Sequence, residues 1–212
     1  MQFNNPFEGV KNPFADKRDG ATTISVTISF RCDDRGPRSI LSQLDQLAAD
    51  ADTSTLEGFS ELCADASLLL LRRSNEWVGC CGSAEHFGDE ERALSLFDRL
   101  AIKEAAKFED KDPSASVDSA LSAAGLKSAK SSPPTIAVVC IVGCVLGDRE
   151  DEVPKSFSGD AKKMKQALQE LAAAGNAEAE VLALELLWVP SDERESLDQD
   201  EINMEWPELM PC

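Results

Sequence analysis

Tyrosine is absent from these 212 residues, and there is a single histidine, His86. Chemistry that draws on a phenol is excluded, and any acid–base mechanism near neutral pH has one imidazole to use. Basic residues are scarce, 21 Lys and Arg against 39 Asp and Glu, for a formal charge of −18. A field of that sign repels phosphate backbones and anionic headgroups, which excludes nucleic acid as a partner. No apolar run approaches the ~20 residues of a membrane span. The longest, 136–146, has the length of a core strand. The N-terminus carries neither a signal-type apolar region nor an Arg/Ser-rich transit sequence, so the expectation is a trimmed form or a protein that needs no import. Gly-rich phosphate loops and G-x-S-x-G are missing as well.

What is present begins with a 42% apolar fraction, enough for the core of one large domain. The seven cysteines are odd in number and lie mostly in apolar segments, the pattern of buried thiols in a reducing compartment. Acid concentrates in 191–208, with eight carboxylates and one Arg, while basic residues cluster at 11–38 and 162–165.

Periodicity then divides the chain. Residues 1–20 hold a short repeat, Asn5-Pro6-Phe7 and Asn12-Pro13-Phe14, whose X-Pro steps predict an extended arm with two Phe anchors. Residues 22–30 alternate Ile24, Val26, Ile28 and Phe30 with Thr and Ser, predicting a half-buried edge strand. Pro37 predicts a helix start running to about residue 50. Ser54 and Glu57 match a capping box for a second helix to about residue 73, its C-terminal leucines buried nearly all round. A Trp-led strand follows at 77–84, then a helix at 89–108 and a polar loop at 109–133. Residues 135–146 are apolar on both faces and predict the central strand. A helix from Ser158 or Asp160 ends at Gly175-Asn176, a strand spans 180–189, and a short acidic helix starts near residue 197. The order β-α-α-β-α-loop-β-α-β-α predicts a single α/β domain over 21–212. Its four-stranded mixed sheet would be packed by about five helices, the last β-α-β forming a right-handed parallel crossover.

Few constellations support chemistry. His86 beside Glu85, Asp89, Glu90 and Glu91 is weighed as a metal site and read instead as an exposed turn histidine. Cys140 and Cys144 would lie roughly 13 Å apart in a strand and cannot bond each other. Cys80 and Cys81 stand as possible redox residues, through a vicinal bond or a partner such as Cys63, and Cys81 with His86 is the one nucleophile–base combination on offer. Trp77, Trp188 and Trp206 read as packing residues. No cofactor or metal is expected.

Several stretches together resemble a known family. They are Ala51-Asp52-Thr53-Ser54-Thr55-Leu56-Glu57-Gly58, Leu69-Leu70-Leu71-Arg72-Arg73, Trp77-Val78, then Phe97, Leu100 and Phe108. They continue with 135–139, Ala183-Leu184-Glu185-Leu186-Leu187-Trp188-Val189-Pro190 and Trp206-Pro207-Glu208-Leu209. In this order they resemble the plastid and cyanobacterial domain of unknown function fifteen-seventeen. The chain departs from it in lacking a Gly-rich, hydrophobic N-terminal region, in Cys80-Cys81, and in a long 109–133 segment. The resemblance implies a plastid protein, stromal or peripheral to the thylakoid, acting in photosynthetic acclimation, with no catalytic residue to carry over.

The expected function is therefore a non-catalytic accessory protein that docks on a thylakoid photosystem or antenna complex. Its contacts would come from Phe7, Phe14, Glu201, Glu205 and Trp206. The alternative is a small-molecule or pigment-binding regulator with a pocket beside Trp77 and Trp188, and the third reading a thiol redox protein.

Overall fold

The computed structural model describes residues 19–109, 134–177, 180–190 and 195–212. The predicted arm at 1–20 and loop at 109–133 fall almost wholly outside these described residues. The elements in chain order are β1 (Ala21–Cys32), α1 (Ile40–Asp50), α2 (Leu56–Arg72), a 3-10 turn (Ser74–Glu76), β2 (Trp77–Phe87) and α3 (Glu90–Glu109). There follow β3 (Thr135–Leu146), β4 (Phe157–Ser158), α4 (Ala161–Gly175), β5 (Val181–Val189), α5 (Gln199–Glu205) and β6 (Met210–Pro211).

The sheet has six strands, ordered β4-β2-β1-β3-β5, with β6 also on β2, and every pairing is antiparallel. This corrects the four-stranded mixed sheet. Two strands were missed because two residues carry no periodicity. The parallel crossover fails because the connection after β3 is not one helix. Its extended part runs out to the far edge of β2, where Phe157 and Ser158 pair with Gly82 and Cys81. Helix α4 then brings the chain back to the end it left, and Leu146 donates to the carbonyl of Glu180 at 2.8 Å.

The edge assignment of β1 is also corrected. It lies between β2 and β3, and its Thr/Ser face is as buried as its apolar one: Thr23, Ser25, Thr27 and Ser29 are all at most 9% exposed. Alternation normally marks a solvated face, but here the hydroxyls bond inward. Thr23 donates to the Ala93 carbonyl of α3 at 2.7 Å, and on the apolar face Thr22 donates to the Gly147 carbonyl at 2.6 Å. A buried hydroxyl with a partner escapes the cost of about 1–3 kcal/mol that an orphan would carry. Strand β3 is inner and apolar on both faces, as its composition predicts.

Helices cover both sheet faces. On one face α1, α2 and α4 meet Ile24, Ile28, Phe30, Val139 and Ile141 in the larger core. Thr55 caps α2 through Gly58 and Ser39 caps α1 through Ser42, one or two residues from the starts that Ser54 and Pro37 suggest. Asp160 caps α4. The helix ends at Gly175 with Asn176 as its C-cap, as the sequence predicts, and Gly175 also serves contact: a Cβ there would stand 2.5 Å from the Ser60 carbonyl oxygen of α2. On the other face α3 and the C-terminal segment enclose Val138, Cys140, Val142 and Trp206.

Candidate functional site

Under α3 the strands build a row of small polar side chains. The pairing aligns Cys81 of β2, Thr27 of β1 and Cys140 of β3 side by side. The Thr27 hydroxyl hydrogen-bonds both thiols. Four residues back along β1, Thr23 stands beside Cys144 of β3 in the same way. Above the row stands Glu104, 5% exposed, whose carboxylate meets the Lys107 ammonium at 2.9 Å. Lys107 also pairs with Glu208, which joins α3 to the C-terminal segment. Burial pushes both Cys81 and Cys140 up to about 12, so neither thiol is an ionised nucleophile at neutral pH.

The C-terminal segment is clasped along its length. Thr135 accepts from Leu197 N at 2.8 Å, and Leu197 returns its carbonyl to Ile136 N at 3.0 Å. Asp198 and Glu201 form a reciprocal capping box that starts α5. Trp206 is fully buried, edge-on to Phe108 at 5.4 Å. The Ser158 hydroxyl donates to the Glu208 carbonyl at 2.6 Å, and β6 finishes on the outer edge of β2. This anchoring presents Met204, 74% exposed, on the outside of α5. Asp200, four residues earlier, shares its face.

A cleft of about 650 Å³ opens at the end of β1, lined by Arg31, Cys32, Asp34, Arg38, Arg73 and Trp77 among others. Three guanidinium groups face three carboxylates there, counting Asp33 and Glu76, and Arg73 is held by both oxygens of Glu76 and by Gln43.

The sequence-predicted residues separate. Phe7 and Phe14 lie outside the described residues. Glu201 is committed to capping, with Asp198 N donating to it at 2.9 Å, and Glu205 is half-buried on α5. Trp206 cannot meet a partner as a surface residue, because its ring fills the second core. Cys80 and Cys81 are buried free thiols on opposite sheet faces. His86 lies five residues from Cys81 on the opposite face of an unbroken register, roughly 16 Å along the strand, so the two are not a nucleophile and its base. Its Nδ1 is 3.3 Å from the Thr22 hydroxyl. Trp77 and Trp188 are separated by β1 and β3, and share no pocket. Their indoles donate to the Leu70 carbonyl and to Asp45.

The thiol–hydroxyl row escaped notice because its members come from strands whose neighbours only the pairing reveals. Alternation put Thr27 opposite Ile24 and Ile28 but read that face as solvated, whereas Cys81 and Cys140 flank it. Among the described residues no cluster of three metal-ligating side chains occurs, and no helix is long and apolar enough to cross a membrane.

The profile described as "Protein of unknown function (DUF1517)" matches residues 20–212, which is nearly the whole described fold. The chain belongs to the DUF1517 family. Among its relatives, Protein FLAP1 homolog A of Synechocystis sp. is 33% identical over 184 residues, covering 81% of this chain and 52% of that protein. FLUCTUATING-LIGHT-ACCLIMATION protein 1, chloroplastic, of Arabidopsis thaliana is 27% identical over 174 residues, covering 82% of this chain and 43% of its own length. The chain thus spans about half the length of the curated relatives it matches. No solved structure matches it. Family membership agrees with the resemblance drawn from the A-D-T-S-T and L-W-V-P stretches. The fold explains the first as the exposed turn and cap that start α2, through Asp52 and Thr55, and Trp188 of the second as packing against the larger core.

Proposed function

We propose that this chain is the folded, non-catalytic docking domain of a plastid light-acclimation protein, recruited to a photosystem or antenna complex of the thylakoid. The observation that carries the reading is the outer face of α5. Met204 stands exposed beside Asp200 on a helix fixed from below by Ile202 and Trp206, so the surface is ordered before any partner arrives. Pre-ordering lowers the entropic cost of association, and the local acid favours a basic partner face. The names of the relatives support the acclimation setting and a chloroplast location. Elevated, buried thiols and a histidine remote from them support a role without covalent catalysis.

The test is recovery of identified photosystem or antenna subunits from solubilised thylakoids on the tagged chain, resolved on native gels. Paired Asp200→Lys and Met204→Glu substitutions are expected to lower recovery about tenfold while the far-UV spectrum is unchanged. Equal recovery by wild type and variant sinks the α5 surface, and failure to recover any thylakoid subunit sinks the docking reading.

The cleft beside Trp77 favours a second reading, a regulator that binds a small anionic molecule between Arg31 and Arg38. A thermal shift with a panel of organic anions that Arg38→Gln abolishes would favour it over docking.

A further inference from the structure

The thiol of Cys80 has two neighbours that no other cysteine shares. On β2 it faces the larger core and is 0% exposed, yet it sits at the outer edge where β6 docks. The register sets Cys80 against Met210 and Gly79 against Pro211, and Cys212 N donates to the Val78 carbonyl. Cys212 is therefore one rung diagonal from Cys80 on the same sheet face. Diagonal neighbours on adjacent antiparallel strands stand roughly 7–8 Å apart, and Cys212 is near enough to help hold the Cys80 thiol protonated. At the start of α4, Gly159 N donates to the Cys80 carbonyl at 2.8 Å, and the Asp160 N–H works to lower the Cys80 thiol. Cys212 is the exposed member of the seven cysteines.

No other thiol pair is placed this way. Cys81 and Cys140 have β1 between them, and Cys80 and Cys81 point to opposite faces. Closing the Cys80–Cys212 diagonal to a bond of about 2.05 Å needs the end of β6 to move inward until the Cβ atoms stand about 3.8 Å apart. What resists that shift is a two-residue strand and one backbone hydrogen bond of 3.4 Å.

We propose that Cys80 and Cys212 form a reversible intramolecular disulfide, a modification site that accepts oxidising equivalents from a disulfide of the glutathione or dithiol-protein class. Cys212, the accessible thiol, attacks the oxidant RSSR as its thiolate. It forms a mixed disulfide and releases one RS⁻. Cys80 then attacks the Cys212 sulfur. The new S–S bond replaces the mixed one, and the Cys80 proton leaves with the second RSH. Two protein thiols are oxidised, one disulfide is reduced to two thiols, and excess dithiol reverses the exchange. Burial pushes Cys80 up to about 12, with Cys212 adding to the shift, which assigns the first attack to Cys212 and the second to Cys80. The bond ties β6 covalently to β2, and with it the segment that carries α5.

The experiment uses the folded, reduced full chain and glutathione disulfide as probe, with thiols counted by intact mass after denaturing alkylation. The expected result is a fall from seven free thiols to five without a lasting glutathione adduct. A peptide joining Cys80 to Cys212 should appear, and dithiothreitol should restore all seven. Cys212→Ser, a change at an exposed position, is expected to keep all six remaining thiols. Cys81→Ser is expected still to lose two. The proposal is overturned by seven thiols surviving, by a persistent adduct on Cys212, by a disulfide that still forms in the Cys212→Ser chain, or by a bond between two chains.

Discussion

Truncating the buried indole, Trp206→Ala, tests whether the C-terminal clasp is part of the cooperative fold. The ring is 0% exposed, and one of its neighbours is Phe108, edge-on at 5.4 Å. Removing a fully buried Trp costs about 3–5 kcal/mol, a range that already contains the 0.5–1.5 kcal/mol of an aromatic pair. In a domain of this size each kcal/mol moves Tm by about 2–4 °C, so the melt should fall by about 6–20 °C. The companion Trp206→Phe keeps an edge for Phe108 and discards the indole N–H, which is buried without a hydrogen-bond partner among the described residues. Its cost should be clearly smaller, about 1–2 kcal/mol, because the cavity left by the lost ring is partly offset by removing a buried donor that has no partner. Urea unfolding followed by far-UV circular dichroism gives both values, with Trp77 and Trp188 fluorescence as a second probe. If Trp206→Ala unfolds within 1 kcal/mol of wild type, the segment opens locally on its own and α5 is not held rigidly. If Trp206→Phe is as damaging as Trp206→Ala, ring packing is the wrong account.

Gly175→Val should destabilise by about 1–3 kcal/mol or more in the same unfolding assay, because the added carbon meets backbone atoms of Ser60 and Ala64 that have no room to yield. At Glu208 burial works to raise the carboxyl, but the hydrogen bond and charge of Lys107 hold it below its ordinary value. That contribution to stability is present above the unfolded value of 4.5 and is lost as pH falls through the depressed one, so Glu208→Gln should flatten the acid limb of a urea-midpoint profile. Lys107 is shifted upward by the same partners against its own burial, and its contribution fades only as pH rises through the raised value. In the native protein Cys212 should react first with a disulfide reagent at about pH 8 and Cys80 should follow by closing the internal bond, so that two thiols are consumed per chain and the other five react only on unfolding.

The legible parts of the sequence were those governed by local rules. The cap at Asp160, the alternation of β1 and the two-faced apolar run of β3 all depend on residues within a few positions of one another. What could not be read depends on pairing. Thr27 announces an outward face until Cys81 and Cys140 are known to flank it. The connection after β3 is long enough for either strand direction, and its composition says nothing of the detour through β4. Trp206 takes the packing role of the two that the sequence allowed it, but the ring that receives it, Phe108, lies nearly a hundred residues earlier and only the fold shows it. Cys80 and Cys212 are neighbours for the same reason, across an edge that only β6 defines.

The central position of β1 sets a timetable. It is made first among these elements, yet both of its neighbours come later, and its partners in β3 lie 103 to 125 positions downstream, from the Cys32↔Thr135 pair to the Ala21↔Leu146 pair. At about 5–20 residues per second of synthesis, that interval lasts roughly 5–25 s. Throughout it a strand bearing Ile24, Val26, Ile28 and Phe30 has one unpaired edge. A newborn chain of this kind depends on being shielded, by α2 closing over the apolar face or by a chaperone, until its later half arrives.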